Sequence, residues 1–382
     1  MKIIKLFLIF IYSLILVGCW NKHEINEIAI VIGVGIDKIE DQYVVTAQVI
    51  KPLPKGGGGG EDLSTWSITS RDITVGNAIN ELSSISPRPL YWPHLQIIIF
   101  SEAVAKEGLG QVISWFTRDR DSRAGAYVVV TRGKAEDLLN QTIELGEMPA
   151  KSMASFLDTA EIRNISLNKL KLTNLASILS TPGNDGTLDV IALKEIRGEV
   201  ETYQITGTAI LKKDQLIGYL PIEIDDAVQM AKNEYERGVI STACPNEEGS
   251  YITFRITDFE NELSLTFSKN IPTVKMNIFI EGNIIDQECP IDLLDPRNIS
   301  EIEDLIKEEI QQMIQKAFNE TAELGADVFG IGQEIRRKRP KVWTEIQDED
   351  RIYLKDLKLE IHVDANIRRT GLIIDSTINK IK

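Results

Sequence analysis

The feature that most constrains the fold is a long amphipathic stretch that follows Pro296. Apolar residues recur there mostly at helical spacing over about six turns, which is typical of a helix with one buried face. They are Ile302, Leu305, Ile306, Met313, Ile314, Ala317, Phe318 and Leu324. Ser300 and Glu303 have the spacing of a capping box, whose side chains accept hydrogen bonds from free backbone amides. The pattern predicts one long helix that starts near Ser300.

A strand that suits this helix follows near the end of the chain. Apolar side chains alternate there with mostly polar or charged ones, a period of two that predicts a half-buried strand. They are Leu357, Leu359, Ile361, Val363, Ala365 and Ile367. A meander is predicted before the helix, with strands at 251–258, 262–267 and 274–285. We therefore expect an α+β C-terminal domain over 251–382, in which the long helix lies on an antiparallel sheet.

The preceding part of the chain divides at a cluster of helix and strand breakers, residues 181–186. Strand-like and helix-like segments are mixed before it, which predicts an N-terminal α/β domain over 19–186. Strands dominate after it, and a polar helix follows at 225–237, so residues 187–250 are predicted as a middle domain. The expected fold class is α+β or mixed α/β, with three domains and mainly antiparallel sheets.

The first nineteen residues have the pattern of a bacterial lipoprotein signal. Lys2 and Lys5 precede an apolar run over 6–17, which is too short for a membrane-spanning helix. Leu16-Val17-Gly18-Cys19 then has the Leu-x-small-Cys form of a lipobox. The pattern predicts that residues 1–18 are removed by cleavage between Gly18 and Cys19. Cys19 would then carry a thioether-linked diacylglycerol, and its free amine would be acylated.

This anchor and the charge of the chain together predict where the protein lies. The mature protein is expected on the outer face of the cell membrane, because the signal exports it and the lipid retains it there. The chain has 42 Lys and Arg against 57 Asp and Glu, a formal net charge of −15. This balance argues against nucleic acid as a partner and gives no attraction to an anionic membrane. The acyl chains must therefore provide the anchoring.

No catalytic, cofactor-binding or metal-binding site is predicted. His23, His94 and His362 are far apart and have no His or Cys partner at ligand spacing. Gly33-Val34-Gly35 lacks the third glycine of a dinucleotide fingerprint, so we interpret it as a strand with close backbone packing. The glycine run at 56–60 precedes Glu and Asp where a phosphate loop has Lys and Ser or Thr, and it is interpreted as a loop. The protein is expected not to be an enzyme.

Two further features have competing interpretations. An oxidising compartment permits a disulfide between Cys244 and Cys289, but their proximity does not follow from the sequence. Of the two interpretations we favour two separate buried thiols.

The basic cluster 336–341 would suit lipid headgroups or an acidic partner surface. The favoured interpretation is a solvated loop that offsets neighbouring Glu and Asp.

Short motifs along nearly the whole chain carry a family resemblance. They are Gly18-Cys19-Trp20-Asn21, Gly33-Val34-Gly35-Ile36-Asp37, Glu147-Met148-Pro149-Ala150, Gly325-Ala326-Asp327-Val328-Phe329-Gly330 and Arg368-Arg369-Thr370-Gly371. In combination they resemble the Ger(x)C lipoproteins, the C subunits of nutrient germinant receptors in endospore-forming bacteria. This resemblance implies a three-domain α/β protein without known enzymatic activity. The only site residue that it carries over is Cys19.

The resemblance also implies partners. Members of the family assemble with an integral-membrane A subunit and a permease-like B subunit on the outer face of the inner spore membrane. The complex responds to amino acids, sugars or nucleosides. The sequence identifies neither the germinant nor the contact residues. The alternative is an extracytoplasmic solute-binding lipoprotein of an importer, a class that usually has two doubly wound lobes.

Overall fold

The computed structural model describes residues 27–50, 65–118, 125–141, 148–159, 167–196, 199–245, 247, 249–268, 271–347, 352–355 and 357–369. The strands are β1 (Ala29–Ile39), β2 (Gln42–Ile50), β3 (Thr65–Asp72), β4 (Leu90–Tyr91), β5 (Ile97–Ser101), β6 (Tyr127–Thr131), β7 (Thr187–Ile196), β8 (Glu199–Lys212), β9 (Gln215–Leu220), β10 (Gly238–Ala243), β11 (Tyr251–Ser268), β12 (Ile271–Gln287) and β13 (Lys358–Arg369). The helices are α1 (Val75–Ile85), α2 (Glu102–Glu107), α3 (Gly110–Arg118), α4 (Ala135–Asn140), α5 (Pro149–Asp158), α6 (Leu172–Leu179), α7 (Ile222–Ala231), α8 (Pro296–Glu323), α9 (Ile331–Lys338) and α10 (Pro340–Ile346).

The first sheet contains β1 to β9 in the order β3-β2-β1-β5-β6-β7-β8-β9, with β4 beside β1. β1, β5, β6 and β7 are parallel neighbours, and the strands on either side of them pair antiparallel. Parallel neighbours need crossover connections, which the helices between these strands supply. The result is a mixed sheet whose central strands are Val- and Ile-rich, as expected where both faces are covered.

Helices cover the first sheet on both faces. On one face α1, α3 and α6 pack over a core that includes Phe100 and Phe116. On the other face α4 and α5 pack over a core that includes Ile99 and Met153. The α/β character predicted for this part of the chain is confirmed.

Close packing on the second face explains the glycines of Gly33-Val34-Gly35. A Cβ atom on Gly33 would collide with the Cβ atom of Ala150 on α5, and one on Gly35 would lie 3.0 Å from the Cβ atom of Ala135 on α4. The two helices therefore approach the backbone of β1 directly. The interpretation of this motif as a closely packed strand is confirmed.

The second sheet has the order β10-β11-β12-β13, and α8 lies across one face of it. The buried side chains of α8 are Ile302, Ile306, Ile310, Ile314, Ala317, Phe318, Thr321 and Ala322. They pack against Phe254, Met276 and Ile280 of the sheet within one core. The prediction of a long helix on a sheet is confirmed.

The predicted capping box at Ser300 and Glu303 is wrong. The helix begins at Pro296, and the Asp295 side chain caps it by accepting from the Arg297 amide at 2.9 Å. Proline is favoured at the first helical position because its missing N–H would be unpaired there. Glu303 lies further along the helix and accepts from the Ile367 amide of β13 at 2.9 Å.

The sheet also differs from the prediction in two respects. β13 pairs parallel to β12, because α8, α9 and α10 connect them and return the chain to the same end of the sheet. The prediction of a wholly antiparallel C-terminal sheet is therefore wrong.

The predicted strands 251–258 and 262–267 form one continuous strand, β11. A bulge between Ile256 and Asp258 shifts the alternation of side chains there without ending the ladder.

The middle segment of the chain contributes to both cores. β7, β8 and β9 continue the first sheet, whereas α7 packs with α8 in the core of the second. β8 and β9 form an antiparallel hairpin. The division at 186 and 250 stays a prediction.

Cys244 and Cys289 form a disulfide, with their Cα atoms 6.1 Å apart. Both residues are buried beside β10 and the end of β12. Our preference for two separate thiols is therefore wrong. Pairing along the hairpin of β11 and β12 brings the two flanking segments together, although 45 positions separate the cysteines.

Removing this disulfide should destabilise the protein. The cross-link closes a long loop, so we expect the double variant Cys244→Ser, Cys289→Ser to lose about 2–4 kcal/mol of unfolding free energy. Urea unfolding monitored by circular dichroism measures the loss. Reductant should lower the stability of the native sequence equally and leave the variant unchanged. A reductant-insensitive native protein would contradict the assignment.

Candidate functional site at the junction of the two sheets

The predicted lipidation and cleavage residues, Cys19 and Gly18, lie outside the described residues, as do His23 and the glycine run 56–60. Their roles stay predictions. Among the described residues, His94 is exposed and its ring lies tilted against the Tyr91 ring, with the ring centres 5.7 Å apart, and His362 is exposed on β13.

The described part of the chain has neither a cluster of metal ligands nor a helix suited to span a membrane. No group of three or more His, Cys, Asp and Glu residues there is arranged to hold a metal ion. Nor does any helix in those ranges have the length and apolar character that crossing a membrane requires.

Two shallow grooves of about 550 Å³ are found in the described residues. One runs along the polar side of α8, next to Ile361 of β13, and presents mainly amide side chains such as Gln311 and Gln315. The other lies between the start of α1 and α3, and Trp115 and Arg118 line it. The titratable groups of the first groove are Lys316, Glu320 and Glu323 along one open side of α8, where Lys316 pairs with Glu320, and the second groove has Arg118. Both grooves are open, and neither has the enclosed form that is typical of an active site.

The basic cluster 336–341 lies on α9 and α10, so the favoured interpretation as a loop is wrong. Arg337 and Lys338 pair with Glu334 one turn earlier on α9. The guanidinium of Arg339 lies 5.7 Å from the centre of the Phe267 ring. The cluster does offset a neighbouring acidic residue, as expected of a solvated face.

Asp327 is the centre of the contact between the two halves of the chain. It lies between α8 and α9 and is 1 % exposed. Its carboxylate accepts from the amides of Ile331 and Gly332 at 3.0 and 2.6 Å, and from the Tyr353 hydroxyl at 2.5 Å. These donors fix the turn into α9 and attach the segment before β13 to it.

Asp185 ties this turn to the first sheet. Its amide donates to the Asp327 carbonyl at 2.9 Å, and its carboxylate accepts from the Asp327 amide at 2.8 Å. The other carboxylate oxygen accepts from the Lys213 amide, in the hairpin of β8 and β9, at 2.9 Å. One carboxylate therefore joins three segments that are distant in sequence.

Gly183 and Gly332 allow the segment 181–186 to contact α9 closely. Gly183 has φ +83, and a Cβ atom on it would lie 2.6 Å from the Gly332 carbonyl carbon and 2.8 Å from the Trp343 ring. The Gly183 carbonyl accepts from the Gln333 amide at 2.8 Å. The breaker cluster 181–186 is therefore a docking segment for α9, and Gly183 meets a packing need as well as the positive φ of the turn.

A second buried carboxylate pair lies nearby. Asp189 on β7 accepts from the amides of Asn168 and Lys169 at 3.0 and 2.9 Å. Asp225 on α7 accepts from Gln229 at 2.7 Å. The Asn168 side-chain amide lies between the two carboxylates and donates to both. The pair links the first sheet to the helix that packs in the second core.

Burial dominates the electrostatics of Asp327, Asp189 and Asp225. It raises the pKa of Asp327 to about 6, against the lowering effect of the Tyr353 hydroxyl and the two amides. Burial, followed by repulsion from Asp225, raises the pKa of Asp189 to about 6. Burial likewise raises the pKa of Asp225. These carboxylates are thus held by hydrogen bonds in places where their charge is costly.

Sequence reasoning missed the junction, since an acidic chain offers many carboxylates and spacing singles out none. One signal was present: Asp327 lies inside the motif 325–330 that carries part of the family resemblance. Asp37, in the motif 33–37, is likewise buried and accepts from the Ala135 and Glu136 amides at the start of α4.

Comparison with known proteins covers both halves of the chain. Residues 21–193 match the family described as the spore germination protein N-terminal domain. Residues 206–371 match the family described as spore germination B3/GerAC like, C-terminal. The chain belongs to the GerAC-like family of spore germination proteins. The resemblance inferred from the short motifs is confirmed, and membership links the chain to spore germination.

Relatives of this GerAC-like chain include proteins of Bacillus subtilis. Spore germination protein KC of Bacillus subtilis is 28 % identical, over 94 % of this chain and 93 % of that protein. Spore germination protein A3 of the same organism is 25 % identical, over 96 % of this chain and 98 % of that protein. The crystal structure of the GerBC protein matches with a TM-score of 0.54 and 17 % identity, covering 88 % of this chain and 97 % of that one. This last likeness confirms the fold class of the GerAC-like chain.

Proposed function

We propose that this chain is the lipid-anchored, non-catalytic C subunit of a nutrient germinant receptor in the inner spore membrane. The observation that carries the proposal is the match of both halves, 21–193 and 206–371, to GerAC-like families. The lipobox at 16–19 adds the anchor, because it places a thiol at the end of the mature chain.

A structural role of the buried carboxylates supports the non-catalytic part of the proposal. Asp185, Asp189 and Asp327 direct their oxygens at backbone amides, and so they hold segments together. None of the three faces either groove of the described residues. A catalytic carboxylate would instead need access to a substrate.

The proposed partners are an integral-membrane A subunit and a permease-like B subunit. The C subunit would act by assembling with them at the outer face of the membrane, without chemistry of its own. The importer alternative is disfavoured by the architecture, because one mixed sheet and one four-stranded sheet in the described residues differ from two doubly wound lobes.

Complementation of a deletion strain tests the proposal. Deletion should abolish germination with particular nutrients, and vegetative growth should be normal. The native gene should restore germination, whereas Cys19→Ala should leave a folded protein that is lost from the membrane fraction and carries no fatty-acid label. Asp364→Ala, at an exposed position of β13, is the matched control and should behave as the native protein.

Three outcomes would oppose the proposal. Retention of Cys19→Ala in the membrane fraction with its fatty-acid label would exclude the anchor. A growth defect in vegetative cells would exclude a role confined to germination. Strong thermal stabilisation of the purified protein by a transported solute would favour the importer subunit.

A further inference from the structure

The proposed anchor, on which this inference rests, restricts how the first sheet is oriented towards the membrane. Seven residues lie between Cys19 and Glu27, the first described residue, and the eight steps from one to the other span at most about 28 Å. Ala29 follows at the start of β1, an eleven-residue strand about 36 Å long. The end of the sheet that contains Ala29 must therefore lie near the bilayer.

The segment 84–91 lies at this end of the sheet. The Ala29 amide donates to the Pro89 carbonyl at 2.9 Å, and Leu90 and Tyr91 form β4 beside Ala29 and Ile30. Ser86 stabilises the turn, since its hydroxyl donates to the Arg88 carbonyl at 2.6 Å. The segment is therefore held in place next to the point where the anchored chain enters the fold.

The exposed side chains of this segment suit a lipid surface. Ile85 is 51 % exposed and Tyr91 is 39 % exposed, and Arg88 is exposed between them. Apolar and aromatic side chains next to a cation match the boundary between headgroups and acyl chains.

The same stretch also lacks carboxylates. No Asp or Glu occurs between Glu81 and Glu102, although the chain has 57 acidic residues among 382. An acidic protein held close to anionic lipids is repelled wherever carboxylates face them. The acid-free stretch lies where that repulsion would be strongest.

We infer that residues 84–91 form a membrane-contacting surface, in which Ile85 and Tyr91 insert among lipid headgroups and Arg88 pairs with lipid phosphate. The contact would add to the acyl anchor and hold the first sheet at a defined angle to the bilayer. The acidic remainder of the protein would then face away from the lipid.

Thiol coupling tests the inference without the natural lipid modification. The chain has three cysteines, and Cys244 and Cys289 are joined, so Cys19 is the remaining thiol in protein that is produced from residue 19 onward without lipid. The protein from residue 19 onward is coupled to a maleimide lipid in vesicles of phosphatidylcholine with phosphatidylglycerol. Hydrogen exchange of residues 84–91 is then compared with that of the uncoupled protein. We expect exchange to slow by roughly threefold or more on the vesicle.

A matched pair of variants identifies the cause of the protection. Ile85→Ser with Tyr91→Ser should abolish it, whereas Ile73→Ser should leave it unchanged. Ile73 is 67 % exposed but follows β3 at the opposite end of the sheet, where Asp72 pairs with Tyr43. Arg88→Ser should reduce protection more on anionic vesicles than on phosphatidylcholine alone.

The inference and the anchor can fail separately. Equal exchange of residues 84–91 on coupled and free protein would overturn the lipid contact, even where Cys19 is lipidated in cells. Protection that survives Ile85→Ser with Tyr91→Ser would also overturn it. Loss of fatty-acid labelling, by contrast, concerns only the proposed anchor, because the vesicle experiment supplies its own tether.

Discussion

Replacing Asp327 by alanine is expected to lower the free energy of unfolding by roughly 2–4 kcal/mol. The change leaves the amides of Ile331 and Gly332 and the Tyr353 hydroxyl without their acceptor, at a cost of about 1–3 kcal/mol for each buried donor. Removal of the carboxylate offsets part of this cost, because burial raises its pKa and makes its charge unfavourable.

Urea unfolding at pH 7 measures this loss, and two variants control for its cause. Tyr353→Phe removes one donor and should cost about 1 kcal/mol. Asp364→Ala removes an exposed carboxylate and should change the stability by less than about 0.5 kcal/mol. If Asp327→Ala were no more destabilising than Asp364→Ala, the junction would not depend on this carboxylate.

The stability of the protein should also depend on pH through Asp189 and Asp327. Both have a folded-state pKa of about 6, above the ordinary value of 3.8. Between these values the folded state binds more protons than the unfolded state. Their stabilising contribution is therefore complete below pH 3.8 and is lost as the pH rises through 6. Each carboxyl accounts for about 3 kcal/mol over this window.

Urea unfolding between pH 4 and 7.5 follows this change, and Asp225→Asn is the informative variant. Repulsion from Asp225 contributes to the raised pKa of Asp189, so the variant should lower that pKa and flatten the decline of stability with pH. The part of the decline in stability that Asp327 causes should remain. A stability that rises steadily from pH 4 to 7.5 in the native protein would contradict both assignments.

Periodic patterns were sufficient to predict the elements that bury one face. The stripe on α8, the alternation in β13 and the apolar strands around Gly33 each reflect local spacing, and the structure has them where the sequence places them. The predictions were wrong where a contact with a segment distant in sequence decides what a residue does. Glu303 has the spacing of a capping residue, but it accepts from β13 because the strand passes beside it.

Long-range pairing was the second source of error. The alternation in β13 is the same for a parallel and an antiparallel neighbour, and only the path through α8, α9 and α10 makes it parallel to β12. The disulfide depends in the same way on the register of β11 and β12, which brings Cys244 and Cys289 together. Neither register nor chain path is encoded in the spacing of the residues concerned.

The sequence alone determined the acidic charge, the types of the main elements and the resemblance to the family, and it predicted the export signal, since these depend on composition and on local order. Tertiary structure alone decided that Asp185 and Asp327 join the two halves, that Asp189 and Asp225 share a buried site, and that residues 84–91 lie beside Ala29. The physical reason is that burial and hydrogen-bond partners are set by contacts between distant segments. A carboxylate or an isoleucine acquires its role only from the neighbours that the fold supplies.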